Sequence, residues 1–505
     1  MRFLVNSNHL LPERCLSGNS SRISQIPIIP QPLLNYKFPF NPKLQLLLAG
    51  KQILLDDIPF PFDEIQSHYE NGYITYRKGI EYQGKLPVCV RCGNKDPQQF
   101  GSFMCARCGE QCLYCRHCIM MGRISECTPL IGWNGSEPVT EVPDKIMGWS
   151  GTLSKGQQEA SDLVVEAILQ NKEWLIWAVC GAGKTEVLFA GIEAALSAKK
   201  RICIATPRTD VVLELFPRLK AAFPAIDIAA LYGGSEDRHV YAPLTIATTH
   251  QLLRFYHAFD AIILDEVDAF PYTVEESLQY AAIQARKPVS AMIYLTATPN
   301  QKWQRECRSG QRNFTTIPAR FHRHSLPVPQ FKWCGNWQKL LYKDKLPPNV
   351  IQWVKSRLDS GKQALLFFPH IPMMEKALAI LRPLTPNIEA VHAEDPERKE
   401  KVQKMRSKEL KLLLTTTILE RGVTFPNIDV AVIGAEDIIF TESALVQIAG
   451  RAGRSKDYPD GVVTFFHYGK TEEMLKARRQ ILMMNREGFK VGLLDRESFK
   501  KEGRI

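Results

Sequence analysis

The segment Ala178-Val179-Cys180-Gly181-Ala182-Gly183-Lys184-Thr185 follows the apolar run Trp174-Leu175-Ile176-Trp177 and leads into a helix-forming stretch, Glu186 to Ala198. A strand, a glycine turn closed by Gly-Lys-Thr and a helix together make a phosphate cradle, because backbone N–H groups and the helix N-terminus all face the anion. Lys184 then reaches the β- and γ-phosphates of a nucleoside triphosphate, and the Thr185 hydroxyl holds Mg²⁺. Ala178 stands where the pattern G-x-x-x-x-G-K-[ST] has its first glycine, so the assignment leans on residues downstream. Those are Asp265-Glu266-Val267-Asp268, directly after the apolar Ala261-Ile262-Ile263-Leu264. Asp265 is expected to bind Mg²⁺ through water and Glu266 to polarise the water that attacks the γ-phosphate. An acid-rich solvated turn is the plainer alternative, and the cradle upstream counts against it. Further on, Gly450-Arg451-Ala452-Gly453-Arg454 offers two guanidinium groups, predicted to project from one helical face toward the γ-phosphate. A basic helix end complementing its dipole would also account for them.

Thiols form the second constellation. Of thirteen cysteines, eight fall between Cys89 and Cys127, the clustering of metal-binding thiolates in a reducing compartment. Cys89-Val-Arg-Cys92-Gly93 and Cys105-Ala-Arg-Cys108-Gly109 each predict a tight knuckle, and the two together predict one tetrahedral Zn²⁺ site of Cys89, Cys92, Cys105 and Cys108. Cys112, Cys115, Cys118 and Cys127 either ligate a second ion or exchange with the first set. Arg107, Arg116, His117 and Arg123 suit a phosphate backbone, or are the ordinary basic decoration of a zinc ribbon.

These groups need elements to position them. Downstream of the cradle, strands at Arg201 to Thr206, Leu244 to Thr248, Ala261 to Leu264 and Ala291 to Leu295 alternate with helices at Val211 to Ala222 and His250 to Tyr256. That alternation implies a parallel sheet with ligands at the C-terminal strand edges. A proline-rich stretch, Arg308 to Asn349, predicts a boundary, after which a second alternation runs from Val350 to Gly434. Leu153 to Ile168 reads as an amphipathic helix carrying Gln157, which either reads adenine through its amide or is a surface glutamine. Prolines from Pro12 to Pro61 predict a poorly structured arm, and Ile65 to Tyr82 a small hairpin. Five parts follow: an arm at 1–84, a cysteine module at 85–130, α/β domains at 148–305 and 345–470, and a helix and solvated tail at 471–505.

The balance of 64 Lys+Arg against 53 Asp+Glu, +11 overall, tilts toward a polyanionic partner. No apolar run approaches 18 residues, so no membrane span is expected, and Met1 to Val5 is too short for a secretory signal.

In content and order, Gln157, the segment to Thr185, Thr206-Pro207-Arg208, Thr248, Asp265 to Asp268, Thr296-Ala297-Thr298, Thr416 to Val423 and Gln447 to Arg454 resemble the superfamily 2 helicases over about 150–470. The resemblance implies two RecA-like parallel-sheet domains with ATP between them, and strand grip by Thr206, Arg208, Thr248 and Thr416. The cysteine module ahead of the motor, with Cys112-Leu-Tyr-Cys115-Arg-His-Cys118-Ile-Met-Met-Gly122, resembles the ComFA family of late competence ATPases. By implication the protein is cytoplasmic at the inner face of the membrane, binds single-stranded DNA, and works with a ComFC-like protein and a ComEC-like channel; a homo-oligomer is left open. PriA-type primosomal helicases are the nearest alternative family. Their cysteines interrupt the second motor domain, whereas here Ala364 to Arg454 contains none. A non-translocating, ATP-switched binding module is the alternative of a different class.

Overall fold

The computed structural model describes residues 2–6, 9–13, 20–421 and 425–495. Gly422 and Val423 of the segment named above, and the tail beyond Asp495, lie outside them. The chain forms two compact units: Met1–Gly151 with Asp162–Trp174 and Phe189–Tyr294, and Thr152–Ser161 with Leu175–Leu188 and Leu295–Ile505.

In the first unit the N-terminal part is folded, against expectation. Pro42 opens the helix Pro42–Leu48, where its missing N–H costs nothing, and the Asn41 side chain caps it by accepting from Lys43 N. That helix buries Leu44, Leu47 and Leu48 against Phe3, Ile65 and Tyr69. Each such side chain removed from water contributes roughly 1.5–3 kcal/mol. The expected hairpin at 65–82 is instead the helix Phe62–Glu70 followed by strands Ile74–Arg77 and Ile80–Gln83. Two antiparallel hairpins make the cysteine module: Ile80–Gln83 pairs with Leu86–Cys89, and Phe100–Met104 with Gln111–Cys115. The α/β part of this unit has parallel neighbours in the order Ile228–Leu231, Leu244–Thr248, Ile202–Thr206, Phe259–Leu264, Arg286–Thr296. Ile202–Thr206 and Leu244–Thr248 are buried along their whole length, as strands covered on both faces must be. A 3₁₀ helix, Thr249–Arg254, replaces the α-helix expected from His250.

In the second unit Leu175–Ala178 pairs in parallel with Phe314–Ile317. A separate six-stranded parallel sheet runs Gln330–Trp333, Val463–His467, Ile428–Ile433, Gln363–Phe367, Leu412–Thr415, Ile388–Val391. Residues 308–349 are therefore no mere boundary, because they supply a strand to each pairing. The cradle and Gln157 group with residues 295–505 rather than with the rest of the expected first domain. Among the described residues no helix is long and apolar enough to cross a membrane.

Candidate functional site

The strand, glycine turn and helix start expected around Lys184 are present. The strand Glu173–Ala178 delivers a turn in which Gly181 and Gly183 have φ of 82° and 70°, and the helix starts at Lys184. Gly183 is obligatory twice over: its backbone is left-handed, and a Cβ there would collide with the Gln157 amide. Lys184 is half-buried and, among the described residues, its ammonium makes no hydrogen bond or ion pair, so it is available to an anion. Gln157 is 3% exposed; its Nε2 donates to Ala182 O at 2.8 Å and its Oε1 accepts from Ser154 N at 2.8 Å. The glutamine thus braces the cradle, and reading adenine would require exchanging those bonds.

Within the same unit the cradle meets the loop that carries the two candidate arginine fingers. Cys180 Sγ donates to Gln447 Oε1 at 2.9 Å, and Gly450 packs so closely on Cys180 that a Cβ would lie 2.6 Å from the cysteine Cβ. Arg320, 2% exposed, donates from Nε to Cys180 O at 3.1 Å, from Nη2 to Gly450 O at 3.0 Å, and from Nη1 to Ala452 O at 2.8 Å and to Gly453 O. Burial, together with the neighbouring Arg454, lowers this guanidinium to about 9, which leaves it charged at neutral pH. Arg451 and Arg454 do not share a helical face, because the helix Glu442–Ala449 ends before them and Gly453 turns the chain at φ 63°. Arg451 donates to Glu420 O at 2.9 and 2.6 Å, and Arg454 to Gly450 O at 2.9 Å. Thr298 Oγ1 lies 2.8 Å from Ser443 Oγ, which also accepts from Arg421 at 3.2 Å, so the Thr-Ala-Thr segment bridges to the helix that precedes the arginine loop.

In the first unit, Asp265 follows the strand Phe259–Leu264 and its N–H donates to Ala205 O at 2.8 Å. Glu266 has φ 54°, unfavourable for a non-glycine residue, and its N–H donates to Asp265 Oδ1 at 2.8 Å. Such a conformation costs on the order of 1–3 kcal/mol and concentrates at functional sites. Thr206 and Thr248 face one another in register at the ends of adjacent strands, 0% and 5% exposed. Their side chains are closed to a nucleic acid. Arg208, paired with Asp210 at 2.8 Å, and Thr416 in the second unit are half-buried and reachable.

The predicted single Zn²⁺ site is not what the structure builds. The thiols form two buried groups, Cys89, Cys92, Cys115, Cys118 and Cys105, Cys108, Cys112, Cys127. The knuckle glycines do adopt positive φ, 72° at Gly93 and 69° at Gly109, but each knuckle takes its partners from the later cysteines. Cys112 and Cys115 lie on one strand at an odd spacing, so their side chains leave opposite faces and serve different groups. In the first group Sγ···Sγ distances are 3.7 Å for Cys89–Cys118 and Cys92–Cys115; a tetrahedral Zn²⁺ with Zn–S of about 2.3 Å has edges of about 3.8 Å. Cys108–Cys112 and Cys112–Cys127 are tighter, at 3.3 and 3.0 Å. Arg91 donates to Cys118 Sγ at 3.1 Å and Arg22 to Cys112 Sγ at 3.7 Å, cationic support for thiolate charge. Donor type and burial fit zinc in both groups, and the thiol spacing fits it in the first.

Sequence reasoning missed Arg320, Ser443 and Ser154. Arg320 sits in Pro318-Ala319-Arg320, a stretch that reads as linker, and nothing local marks it.

Residues 35–132 match the model of the competence protein ComFA N-terminal domain, residues 150–301 that of the type III restriction enzyme res subunit, and residues 347–456 that of the helicase conserved C-terminal domain. The first match covers residues 35–84 of the expected arm together with the cysteine module. Competence protein ComFA of Bacillus subtilis is 50% identical over 90% of this chain and 98% of its own length. Competence protein ComFA of Streptococcus pneumoniae is 38% identical over 77% of this chain and 91% of its own. Replication restart protein PriA of Haemophilus influenzae reaches 24% over 46% of this chain and 33% of its own. The expected fold class, two parallel-sheet α/β helicase domains preceded by a cysteine-rich module, is shown.

Proposed function

We propose that this chain, which belongs to the ComFA family of competence proteins, is an ATP-driven motor that moves along single-stranded DNA during DNA uptake. The observation that carries this reading is the direct tie between cradle and arginine loop, through Cys180–Gln447 and the four-carbonyl grip of Arg320. Bound ATP with Mg²⁺ supplies a transferable γ-phosphoryl group and a concentrated negative charge. Val179 to Gly183 offer backbone N–H groups to the phosphates, Lys184 holds the β/γ end, and Thr185 and Asp265 hold the metal. Glu266 orients water. Arg451 and Arg454, which donate to the Glu420 and Gly450 carbonyls, exchange those acceptors for phosphate oxygens, and in doing so pull on a loop that Arg320 links to the cradle. Arg208 and Thr416 touch the DNA strand, with Thr206 and Thr248 fixing the strand ends behind them. The protein works in the cytoplasm against the inner face of the membrane, alone or as a homo-oligomer, with a ComFC-like protein and a ComEC-like channel.

Hydrolysis with and without single-stranded DNA, paired with displacement of a triplex-forming strand ahead of a single-stranded track, tests this. Stimulation together with displacement is the expected result. Stimulated hydrolysis without displacement would leave an ATP-switched binding module instead.

The cysteine module holds two zinc ions on this reading. Metal analysis of purified protein should give two per chain, and Cys115→Ser and Cys112→Ser should each leave one. A single-ion protein, or a Cys115→Ser variant with full metal content, contradicts the pairing.

A further inference from the structure

Within the first unit a cavity of about 370 Å³ opens where the N-terminal part, the cysteine module and the α/β sheet converge. Lys51 and Asp57 come from the N-terminal part, Arg91 from the cysteine module, and Arg238, His239 and Arg254 from connections of the α/β sheet. The last three precede Leu244–Thr248 and Phe259–Leu264, so the cavity lies by the entry ends of strands whose exit ends carry Thr248 and Asp265.

The charge there is one-sided. Three arginines and Lys51 line the cavity against one carboxylate, Asp57, and among the described residues none of the four forms an ion pair with a carboxylate. Arg91 is held by the carbonyls of Met121 at 2.6 Å, Cys118 at 2.7 Å and Gly122 at 2.6 Å. Arg254 donates to the neutral Gln251 amide at 2.7 Å. Lys51 is 3% exposed, and among the described residues its ammonium reaches only the carbonyls of Arg238 and Val240, each at 3.3 Å. An ammonium has three donors, so one remains. Burial, with Arg201 and Arg254 close by, lowers Lys51 to about 7, the sign of a charge without a counter-ion. With Arg91 turned to the Cys118 thiolate, Lys51, Arg238 and Arg254 still outnumber the single carboxylate Asp57, and that excess leaves a positive potential in a partly dry space. Guanidinium forks match tetrahedral oxyanions in particular.

We propose that this cavity is a phosphate-group site, taking either the backbone phosphates of a single nucleic acid strand or a small free phosphate. The site stands on its own lining and does not require the motor reading. Its test uses full-length, zinc-loaded protein in a Lys184→Ala background, so that the cradle contributes least. Inorganic pyrophosphate is titrated by calorimetry in one arm, and a twenty-residue oligothymidylate by fluorescence anisotropy across a salt series in the other. Arg238→Gln with Arg254→Gln should weaken pyrophosphate at least tenfold and, for two lost strand contacts, flatten the slope of log affinity against log salt by about 1.4. Loss of affinity for the oligonucleotide, with or without loss for pyrophosphate, assigns the site to backbone phosphates. Loss in the pyrophosphate arm alone assigns it to a small phosphate. Unchanged binding in both arms overturns the proposal. Arg238 is exposed, so Arg238→Gln alone decides should the double variant fail to fold. In an otherwise unaltered chain, ATP hydrolysis without DNA should be unaffected by either change.

Discussion

Lys184→Ala should lower ATP turnover by about 10³-fold, in the presence or absence of single-stranded DNA, while leaving the unfolding temperature within error of the parent. The size follows from what the ammonium does: it offsets charge at the phosphate being transferred, in a site where preorganised donors are each worth on the order of 3–4 kcal/mol, and each 1.4 kcal/mol is a factor of ten. The indifference of the fold follows from geometry. Lys184 is half-buried at the first position of its helix, and no hydrogen bond or ion pair of its ammonium is lost among the described residues. Substitutions of that kind usually alter stability by less than about 0.5 kcal/mol. Phosphate release and a thermal melt on the same preparation check both halves. Hydrolysis that survives the substitution removes the cradle from the active site. A large fall in melting temperature would instead mean that the lysine holds structure.

That residue was legible because the chemistry of a phosphate cradle is local. Strand, turn and helix start lie within about a dozen consecutive residues, and Gly183 needs its left-handed backbone whatever the rest of the chain does. Buried parallel strands such as Ile202–Thr206 and Gln363–Phe367 were legible for the same reason, as short and mostly apolar runs. What failed were statements that depend on pairing across space. The thiol groups are sorted by hairpin register: Phe103 opposite Cys112 and Phe100 opposite Cys115 fix which face each thiol leaves from, and spacing along the chain is silent on this. The N-terminal prolines were misread because proline is a breaker inside a helix but a good first residue, and Pro42 with Asn41 before it is a start signal. Arg451 and Arg454 were placed on a helix that their own glycines, Gly450 and Gly453, end.

Arg320 belongs wholly to the second class, and its removal should be the most damaging single change in the second unit. Its guanidinium is the shared donor for four carbonyls from two stretches of chain, Cys180 in the cradle and Gly450, Ala452 and Gly453 in the arginine loop. Arg320→Leu takes away all of these donors and leaves the acceptors in a space closed to water. An orphaned buried acceptor costs on the order of 1–3 kcal/mol, and partial relaxation of the loop limits the total to about 4 kcal/mol. The urea midpoint of the unfolding transition should fall accordingly. Catalysis should fall further than stability alone accounts for, because the loop carrying Arg451 and Arg454 is no longer fixed to the turn that carries Lys184. Arg320→Lys separates the two effects: it keeps the positive charge but replaces a planar fork that reaches four carbonyls by a single ammonium of different reach. That variant should stay folded under assay conditions yet hydrolyse ATP at least tenfold more slowly, with nucleotide affinity less affected than turnover. Turnover equal to the parent in Arg320→Lys would mean that the arginine supports packing alone, and that closure between the cradle and the finger loop has another origin.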